Sequence, residues 1–208
     1  MNTLTGLAEL YTEIEMAYDK VATLLDFSCR KCPDNCCDSY FQHHTYIEWA
    51  YLWQGLRLLP VDRQTEYRAR ARAALAAYRE ALAKEERPQV MCPVNDNGRC
   101  GIYQHRLLIC RLHGVPASIT APDGRSRQFP GCFRCQELTA NLANVTTMDR
   151  TRFFTTMVSL EQSLLKGRSL PKIRMTLAEM LLQEPPLTFS PSPSQGEGRD
   201  GGVENPQK

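Results

Sequence analysis

Nine cysteines in a chain of 208 residues are the feature of this sequence that points most directly to chemistry. They form an N-terminal cluster, a middle cluster and a C-terminal pair, whose members are Cys29, Cys32, Cys36 and Cys37; Cys92, Cys100 and Cys110; and Cys132 and Cys135. Two cysteines separated by two residues can turn both sulfurs to one metal ion, and this spacing occurs in the first and last of these sets. The grouping favours thiolate ligands over unrelated cysteines buried as small hydrophobic side chains.

The number of cysteines is odd, and Glu9, Glu13 and Glu15 stand where a secretory leader would need positive charge. A disulfide framework is therefore not expected. We expect the protein in a reducing, cytoplasmic setting. No stretch approaches the roughly 18 apolar residues of a membrane span, so no membrane association is predicted. Lysine and arginine total 25 against 23 acidic residues, which argues against nucleic acid as a partner. The partner is unknown, and a protein partner or substrate stays open.

Arginines accompany the cysteines along the chain. Residues 99–134 contain six arginines and one acidic residue, whereas residues 1–28 contain five acidic residues and one lysine. Nearby cations lower the pKa of a thiol and offset the negative charge of a thiolate-bound metal. The same arginines also suit an electrostatic pairing with the acidic first helix, and a site for an anionic substrate is a third interpretation.

Residues 29–135 contain, in order, C-x2-C-x3-C-C, Cys-Pro, Gly-x-Cys-x-Ile-Tyr, x2-Arg and x3-Cys-Arg. This order resembles the YkgJ-like cysteine-cluster family of bacterial proteins, which are described as zinc- or iron-chelating. The flagellin lysine N-methylases are similar in their cysteine cluster. The resemblance implies metal ligation by Cys29, Cys32, Cys36, Cys37, Cys92, Cys100 and Cys110, with Tyr103, Arg106 and Arg111 as supporting residues.

Two positions need separate comment. Leu107 stands where the family often has proline, and we expect this departure to shift the local turn without removing a ligand. Cys132 and Cys135 follow where the family often carries further cysteine, and they complete the predicted set of nine metal ligands.

Both zinc and iron-sulfur clusters use four thiolates, so the ligands alone leave the metal open. The dense N-terminal cluster slightly favours an iron-sulfur cluster, because it differs from paired zinc knuckles. Three-cysteine ligation would leave one iron open, and four histidines are spare ligands: His43, His44, His105 and His113.

Three functions are compatible with such a centre. A closed centre would serve a structural, metal-sensing or redox role. An open coordination position would suit a metal-dependent enzyme, such as a methyltransferase-like modifier of protein, although the chain lacks the glycine-rich turn of a methyl-donor site and the repeated strands of a barrel enzyme. A thiol-redox protein using Cys132 and Cys135 is disfavoured, because the βαβ setting of that motif is not evident.

The elements that must position these residues are mainly helical. Apolar periodicity predicts a helical bundle with helices over residues 3–27, 45–59, 62–86, 149–166 and 171–182. The first carries the apolar seam Leu4, Leu7, Tyr11, Ile14, Tyr18, Val21 and Leu25, and the third is expected to bury Tyr67, Ala71, Ala74, Tyr78 and Leu82. Together with the cysteine-rich region they form one predicted domain, residues 1–183.

The cysteine-rich region over residues 88–148 is expected to be irregular and cross-linked by metal. It includes a short predicted helix over 104–112 and a small β-hairpin whose turn is Pro122-Asp123-Gly124. The two helices between Cys37 and Cys92 are expected to pack as a hairpin and return the chain to the N-terminal cluster. Residues 184–208 are rich in proline, glycine and serine, and this composition predicts a disordered tail.

Overall fold

The computed structural model describes residues 3–29 and 36–187. Over these ranges the chain is mainly helical, as predicted, and its strands are short. The helices are α1 (Thr3–Leu24), α2 (Tyr46–Arg57), α3 (Val61–Ala83), α4 (Leu108–Leu112), α5 (Phe133–Thr139), α6 (Thr151–Leu165) and α7 (Leu177–Leu182). The strands are β1 (Asn95–Asp96), β2 (Arg99–Cys100), β3 (Ala117–Thr120), β4 (Ser126–Phe129) and β5 (Met148–Asp149). No helix in the described ranges is long and apolar enough to cross a membrane.

Helix α1 buries one apolar stripe against α2, α4 and α6. Leu7 and Ile14 are completely buried, and Tyr11 is 1% exposed. Spacings of three and four residues place these side chains on one face, which explains why the seam could be read from the sequence. Tyr18, predicted for the same seam, is only half-buried.

Helix α2 is the centre of the core, and almost every one of its residues is buried. Its indole groups are satisfied by the far end of the chain: the Nε1–H groups of Trp49 and Trp53 donate to the Met180 carbonyl at 3.0 and 2.7 Å. Its first turn is satisfied by α6, because the Glu161 carboxylate accepts the N–H groups of Tyr46 and Ile47 at 2.9 and 2.8 Å. A buried helix needs such partners for its polar groups.

Helix α7 packs against both α2 and α3. The predicted helix over 171–182 is wrong in its first half, because the helix begins only at Leu177. Thr176 and Glu179 form a capping box there: the Glu179 N–H donates to Thr176 Oγ1 at 3.2 Å, and the Thr176 N–H donates to Glu179 Oε2 at 2.6 Å. Residues ahead of it instead form a bridge, in which His43 and Met175 exchange backbone hydrogen bonds.

Helix α3 ends at Ala83, a turn earlier than predicted, and Leu82 is 50% exposed rather than buried. The other four residues predicted for its buried side are buried: Tyr67, Ala71, Ala74 and Tyr78.

The predicted hairpin is present as β3 and β4, paired antiparallel with Ser118 opposite Gln128. Its turn includes Gly124 at φ 83°, a left-handed conformation that glycine adopts at no steric cost. Strand β5 adds to β3 in parallel. The predicted helix over 104–112 is wrong as a single helix, because it divides into a 3₁₀ turn at Tyr103–His105 and α4.

The prediction of a disordered tail over residues 184–208 is wrong for its first four residues. Residues 184–187 are placed by the structure, and Leu187 is buried in the core at 7% exposure. Glu184 lies beside Arg57, with 3.4 Å between Oε2 and Nη2. The rest of the predicted tail, residues 188–208, lies outside the described residues.

Replacing Glu161 with alanine is expected to lower the free energy of unfolding by about 1–2 kcal/mol, because α2 loses an acceptor for two N–H groups and a negative charge at its positive end. Glu161→Gln should cost less, since an oxygen acceptor remains. Urea unfolding followed by the fluorescence of Trp49 and Trp53 measures the change. Gln162→Ala, an exposed position on the same helix, is the control, and an equal loss in both alanine variants contradicts the capping role.

Candidate thiol metal centre

A short antiparallel contact brings the N-terminal cysteine cluster to the middle one. The Cys92 N–H donates to the Cys37 carbonyl at 2.9 Å, and the Val90 N–H donates to the Asp38 carbonyl at 3.2 Å. Ser39 and Gln89 form a β-bridge beside them. Backbone hydrogen bonds of this kind fix the register of the two segments, so Cys37 and Cys92 become neighbours although α2 and α3 separate them in sequence.

The route by which the chain returns differs from the expected helical hairpin. Helix α7 packs against both α2 and α3, so the two helices share a third element rather than forming a simple hairpin. They still touch, because the Arg68 guanidinium lies 5.2 Å from the Trp53 ring centroid. The expectation that the two cysteine clusters meet therefore holds, but through a three-helix arrangement.

Strands β1 and β2 position Cys100, and Asn95 pairs with Cys100 across this hairpin. The connecting residues Asn97 and Gly98 both have positive φ, as a tight two-residue hairpin turn requires. Asp96 anchors the hairpin to α3: its carboxylate accepts hydrogen bonds from the Tyr67 hydroxyl and from Arg63 and Arg70, the two arginine contacts measuring 2.6 and 2.9 Å.

Asp96 is accordingly held in its charged form. Burial opposes ionisation, but the hydrogen bonds from Tyr67, Arg63 and Arg70 outweigh it, and the pKa of Asp96 lies below its usual value. The same contact leaves no room beside Gly101, where a β-carbon would meet the Tyr67 hydroxyl at 1.7 Å.

Two buried charges hold the segment that carries Cys110. Glu48 is 4% exposed, and its Oε1 accepts the Leu108 N–H at the start of α4 at 2.8 Å. Arg111 is 5% exposed and donates to the carbonyls of Gln104 and Arg106 at 2.8 and 2.9 Å. Its other amine contacts Glu15 of α1 at 2.6 Å. These contacts fix the backbone on both sides of the turn that precedes Cys110.

The supporting residues suggested by the motif have distinct positions. Arg111 is the buried brace just described, and Arg106 contacts the same Glu15 at 3.1 Å while lying 4.1 Å from the ring centroid of Tyr103. The arginine-rich region thus pairs with the acidic first helix. Tyr103 is itself 51% exposed.

Leu107, where the resembled family often has proline, has a backbone conformation that proline can also adopt. It has φ −80° and ψ 167°, and Arg106 before it has φ −64° and ψ 147°. These are the conformations that a proline and its preceding residue adopt. Leu107 therefore keeps a backbone that proline would also fit, and its side chain is fully buried.

Five cysteines form what we call the five-thiol group: Cys36, Cys37, Cys92, Cys100 and Cys110. Their sulfurs are close enough to affect one another's ionisation. The Cys36 thiol hydrogen-bonds to Cys37, which raises the pKa of Cys36 and lowers that of Cys37 to about 6, helped by a hydrogen bond from Asn95. Within this pair, the hydrogen bond therefore favours Cys37 over Cys36 as the thiolate.

The other three thiols of this group are disfavoured as thiolates. Burial raises the pKa of Cys92 and Cys100, although the backbone N–H groups of Val94 and Ile102 hydrogen-bond to their sulfurs and act in the opposite direction. Cys110 reaches the surface, yet the protein packed around its sulfur, followed by the thiolates of Cys100 and Cys37, raises its pKa to about 12.

The remaining described cysteines form a three-thiol group: Cys29, Cys132 and Cys135. The Tyr18 hydroxyl lies 3.7 Å from the Cys29 sulfur. Cys135 is completely buried, and burial followed by the charges of Cys132 and Cys29 raises its pKa to about 11. Cys36 also responds to the charge of Cys29, so the two groups adjoin. Cys32 lies outside the described residues.

The four histidines predicted as spare ligands have other surroundings. His43 is buried with its Nδ1 3.9 Å from Glu48, and the His105 ring lies 4.6 Å from that of Tyr51. His113 packs against Phe41, and His44 is exposed. In residues 3–29 and 36–187, no three histidine, cysteine, aspartate or glutamate side chains stand at the spacing of a formed metal site.

Sequence reasoning missed three acidic residues that position the thiols: Glu15, Glu48 and Asp96. Two of them carried a signal. Glu48 is a lone acid inside an apolar run, and Asp96 precedes an Asn-Gly pair that is typical of a hairpin turn. Glu15 carried none, since it lies among other acidic residues of α1.

Comparison of the chain with protein-family models, with curated proteins and with solved structures finds no match. The resemblance to the YkgJ-like family therefore stays a prediction that depends on the motif alone. The function must be inferred from the residues of this chain.

Replacing Asp96 with asparagine is expected to lower the free energy of unfolding at pH 7 by about 1–3 kcal/mol, because three donors lose a charged acceptor. Since folding lowers the pKa of Asp96, its contribution is complete above the usual aspartate pKa of about 3.9 and is lost as the pH falls through the lower folded-state value. Urea unfolding at pH 7, 5 and 3 should show the difference from wild type shrinking at acid pH.

Asp123→Asn is the matched control, since Asp123 forms an exposed ion pair with Arg125 and such pairs contribute little. A destabilisation by Asp96→Asn that is the same at all three pH values would show that the anchor does not depend on charge.

Proposed function

We propose that this protein binds metal through its clustered cysteine thiolates, as an iron-sulfur cluster or as zinc, in a structural, metal-sensing or redox role. The convergence of five cysteines from three separate segments of the chain carries the proposal. The segments are a 3₁₀ turn at Cys36–Asp38, a hairpin flanked by Cys92 and ending at Cys100, and α4 with Cys110. Each segment is held by its own hydrogen bonds, so the convergence is built by several elements.

The electrostatics of the five-thiol group support a cation there. Burial and mutual repulsion raise the pKa values of Cys92, Cys100 and Cys110, so several thiolates cannot coexist without compensation. A bound metal ion reverses this situation, because it favours the deprotonated form of every ligand. Cys37 already has a lowered pKa and offers a thiolate for the first bond.

The donor types also fit. Soft thiolates select zinc, copper(I) and iron-sulfur clusters over hard cations. The Val94 and Ile102 N–H groups point at the sulfurs of Cys92 and Cys100, and hydrogen bonds to sulfur are among the features that tune iron-sulfur centres. The side chains are not at ligand spacing as placed, so binding requires them to turn toward a common point.

The three-thiol group extends the proposal to a second centre. Cys132 is the N-cap of α5 and Cys135 lies in its first turn, a spacing that directs both side chains to one side, and Cys29 lies beside them. Cys32 follows Cys29 at the interval found in metal-binding pairs and supplies a fourth thiol in sequence. The two adjoining groups contain the eight described cysteines.

Anaerobically purified protein should contain stoichiometric metal, measured by elemental analysis together with acid-labile sulfide. Iron with matching sulfide and visible absorption identifies a cluster, and zinc without sulfide identifies a thiolate zinc site. Chelation should then loosen the region between Cys92 and Cys135, which limited proteolysis detects, because metal bonds would hold it. Metal-free protein with the same protease resistance as the purified form would contradict the proposal.

Cys100→Ser and Cys135→Ser test whether there are two centres. Each variant should lose the metal of its own group and keep that of the other, because serine is a poor replacement for thiolate. Each is therefore the control for the other, with circular dichroism to verify that the helices remain. Loss of all metal in both variants would indicate one shared centre, and full metal in both would refute thiolate binding by these groups.

A further inference from the structure

One arginine is buried without a charged partner among the described residues. Arg150, just before α6, is 6% exposed. Its Nη2 donates to the Leu112 carbonyl, and its Nε is buried with no hydrogen-bond partner among the described residues. Among the residues that the structure describes, no carboxylate lies within ion-pair distance of the Arg150 guanidinium. Burying a cation without a counter-charge is unfavourable, because the charge loses its hydration without gaining a partner.

Arg150 lines a pocket of about 190 Å³. Its guanidinium lies 5.1 Å from the ring centroid of Phe129, and Ile109 and Pro130 add further apolar wall. The space equals that of about six water molecules, at about 30 Å³ each. It is therefore smaller than the roughly 300 Å³ at which drug-sized ligand pockets begin.

Two glycines form the remaining wall. Gly131 has φ 87°, and a β-carbon there would lie 2.5 Å from the Gly114 carbonyl oxygen. The two backbone segments can approach this closely only because Gly131 has no side chain. Their contact continues to the next residue, where the Cys132 N–H donates to the same Gly114 carbonyl at 2.9 Å.

The two titratable residues that line the pocket, Arg150 and His113, are both basic. Burial lowers the pKa of Arg150 to about 10, which still leaves it protonated at neutral pH. His113 also lines the pocket, and burial followed by the charges of Arg150 and Arg87 lowers its pKa. The pocket thus offers one buried positive charge, one neutral imidazole and an apolar wall.

We propose that this pocket binds a small monocarboxylate with a short apolar substituent, whose carboxylate pairs with the Arg150 guanidinium where it lines the pocket and whose substituent packs on Phe129 and Ile109. One guanidinium matches one negative charge, and the volume admits only a few heavy atoms. Arginine presents parallel donors that suit a carboxylate. Six of the seven residues that line the pocket lie between Cys92 and Cys135, so the test uses the protein as purified anaerobically, with any metal it carries.

Titration of the full-length protein with sodium butyrate tests it, with butyramide as the neutral control of the same shape. The Nε–H resonance of Arg150, assigned by its loss in Arg150→Gln, should shift saturably with butyrate and not with butyramide. Inorganic phosphate serves as a third probe and should bind more weakly than butyrate. No saturable shift, an equal response to butyramide, or tighter binding of phosphate would overturn the proposal.

Variant affinities supply a second measurement. Calorimetry should show butyrate binding at least about tenfold weaker in Arg150→Gln, as expected for losing a hydrogen bond to a charged group. Arg152→Gln is the control: Arg152 lies two residues further along, in α6, and contacts Glu13 at the surface, so its loss should leave binding unchanged. Wild-type affinity in Arg150→Gln refutes the site. If that variant does not fold, calorimetry of the wild-type protein decides the matter, because butyrate that binds no more tightly than butyramide also refutes it.

Discussion

Two charged side chains inside the core, Glu48 and Arg111, fix the irregular segment that precedes Cys110, which helix packing alone would not determine. A charge removed from water must be paired and hydrogen-bonded, and few arrangements of the chain provide this. Glu48 accepts hydrogen bonds from the Leu108 N–H and from the Thr45 hydroxyl, the latter at 2.7 Å. Arg111 forms an ion pair with Glu15 and donates hydrogen bonds to two backbone carbonyls. Because both draw on the same few residues before Cys110, they reduce an irregular stretch to one path.

The helical frame was predictable to the extent that apolar periodicity reports burial. Helix α1 shows three- and four-residue spacing on one face, and its buried residues follow that spacing. The start of α7 is predicted wrongly from Pro171, which suits a first helical turn, because the Thr-x-x-Glu pattern at Thr176 forms the actual cap. Helix α5 was missed altogether, since seven residues are too few to establish a helical period.

The candidate site was predictable in its residue types but not in its grouping. The order of the cysteines does not assign them to individual centres, and Cys36 responds to the charges of both Cys29 and Cys110. Which sulfurs meet depends on the backbone pairing near Cys92 and on the position of α5, both of which are tertiary contacts. Arg150 carried no signal either, because an arginine ahead of a helix is ordinary until its burial is known.

The partners of α2 have a consequence for how the chain can fold while it is being made. Helix α2 relies on Glu161 for its first turn and on the Met180 carbonyl for both indoles. During synthesis, which proceeds at about 5–20 residues per second, this apolar helix waits several seconds or more before those partners leave the ribosome. The cysteines before and after it emerge in the same interval. The nascent chain therefore presents its tryptophans and its thiols together, a state that chaperones would shield and that metal could enter before the core closes.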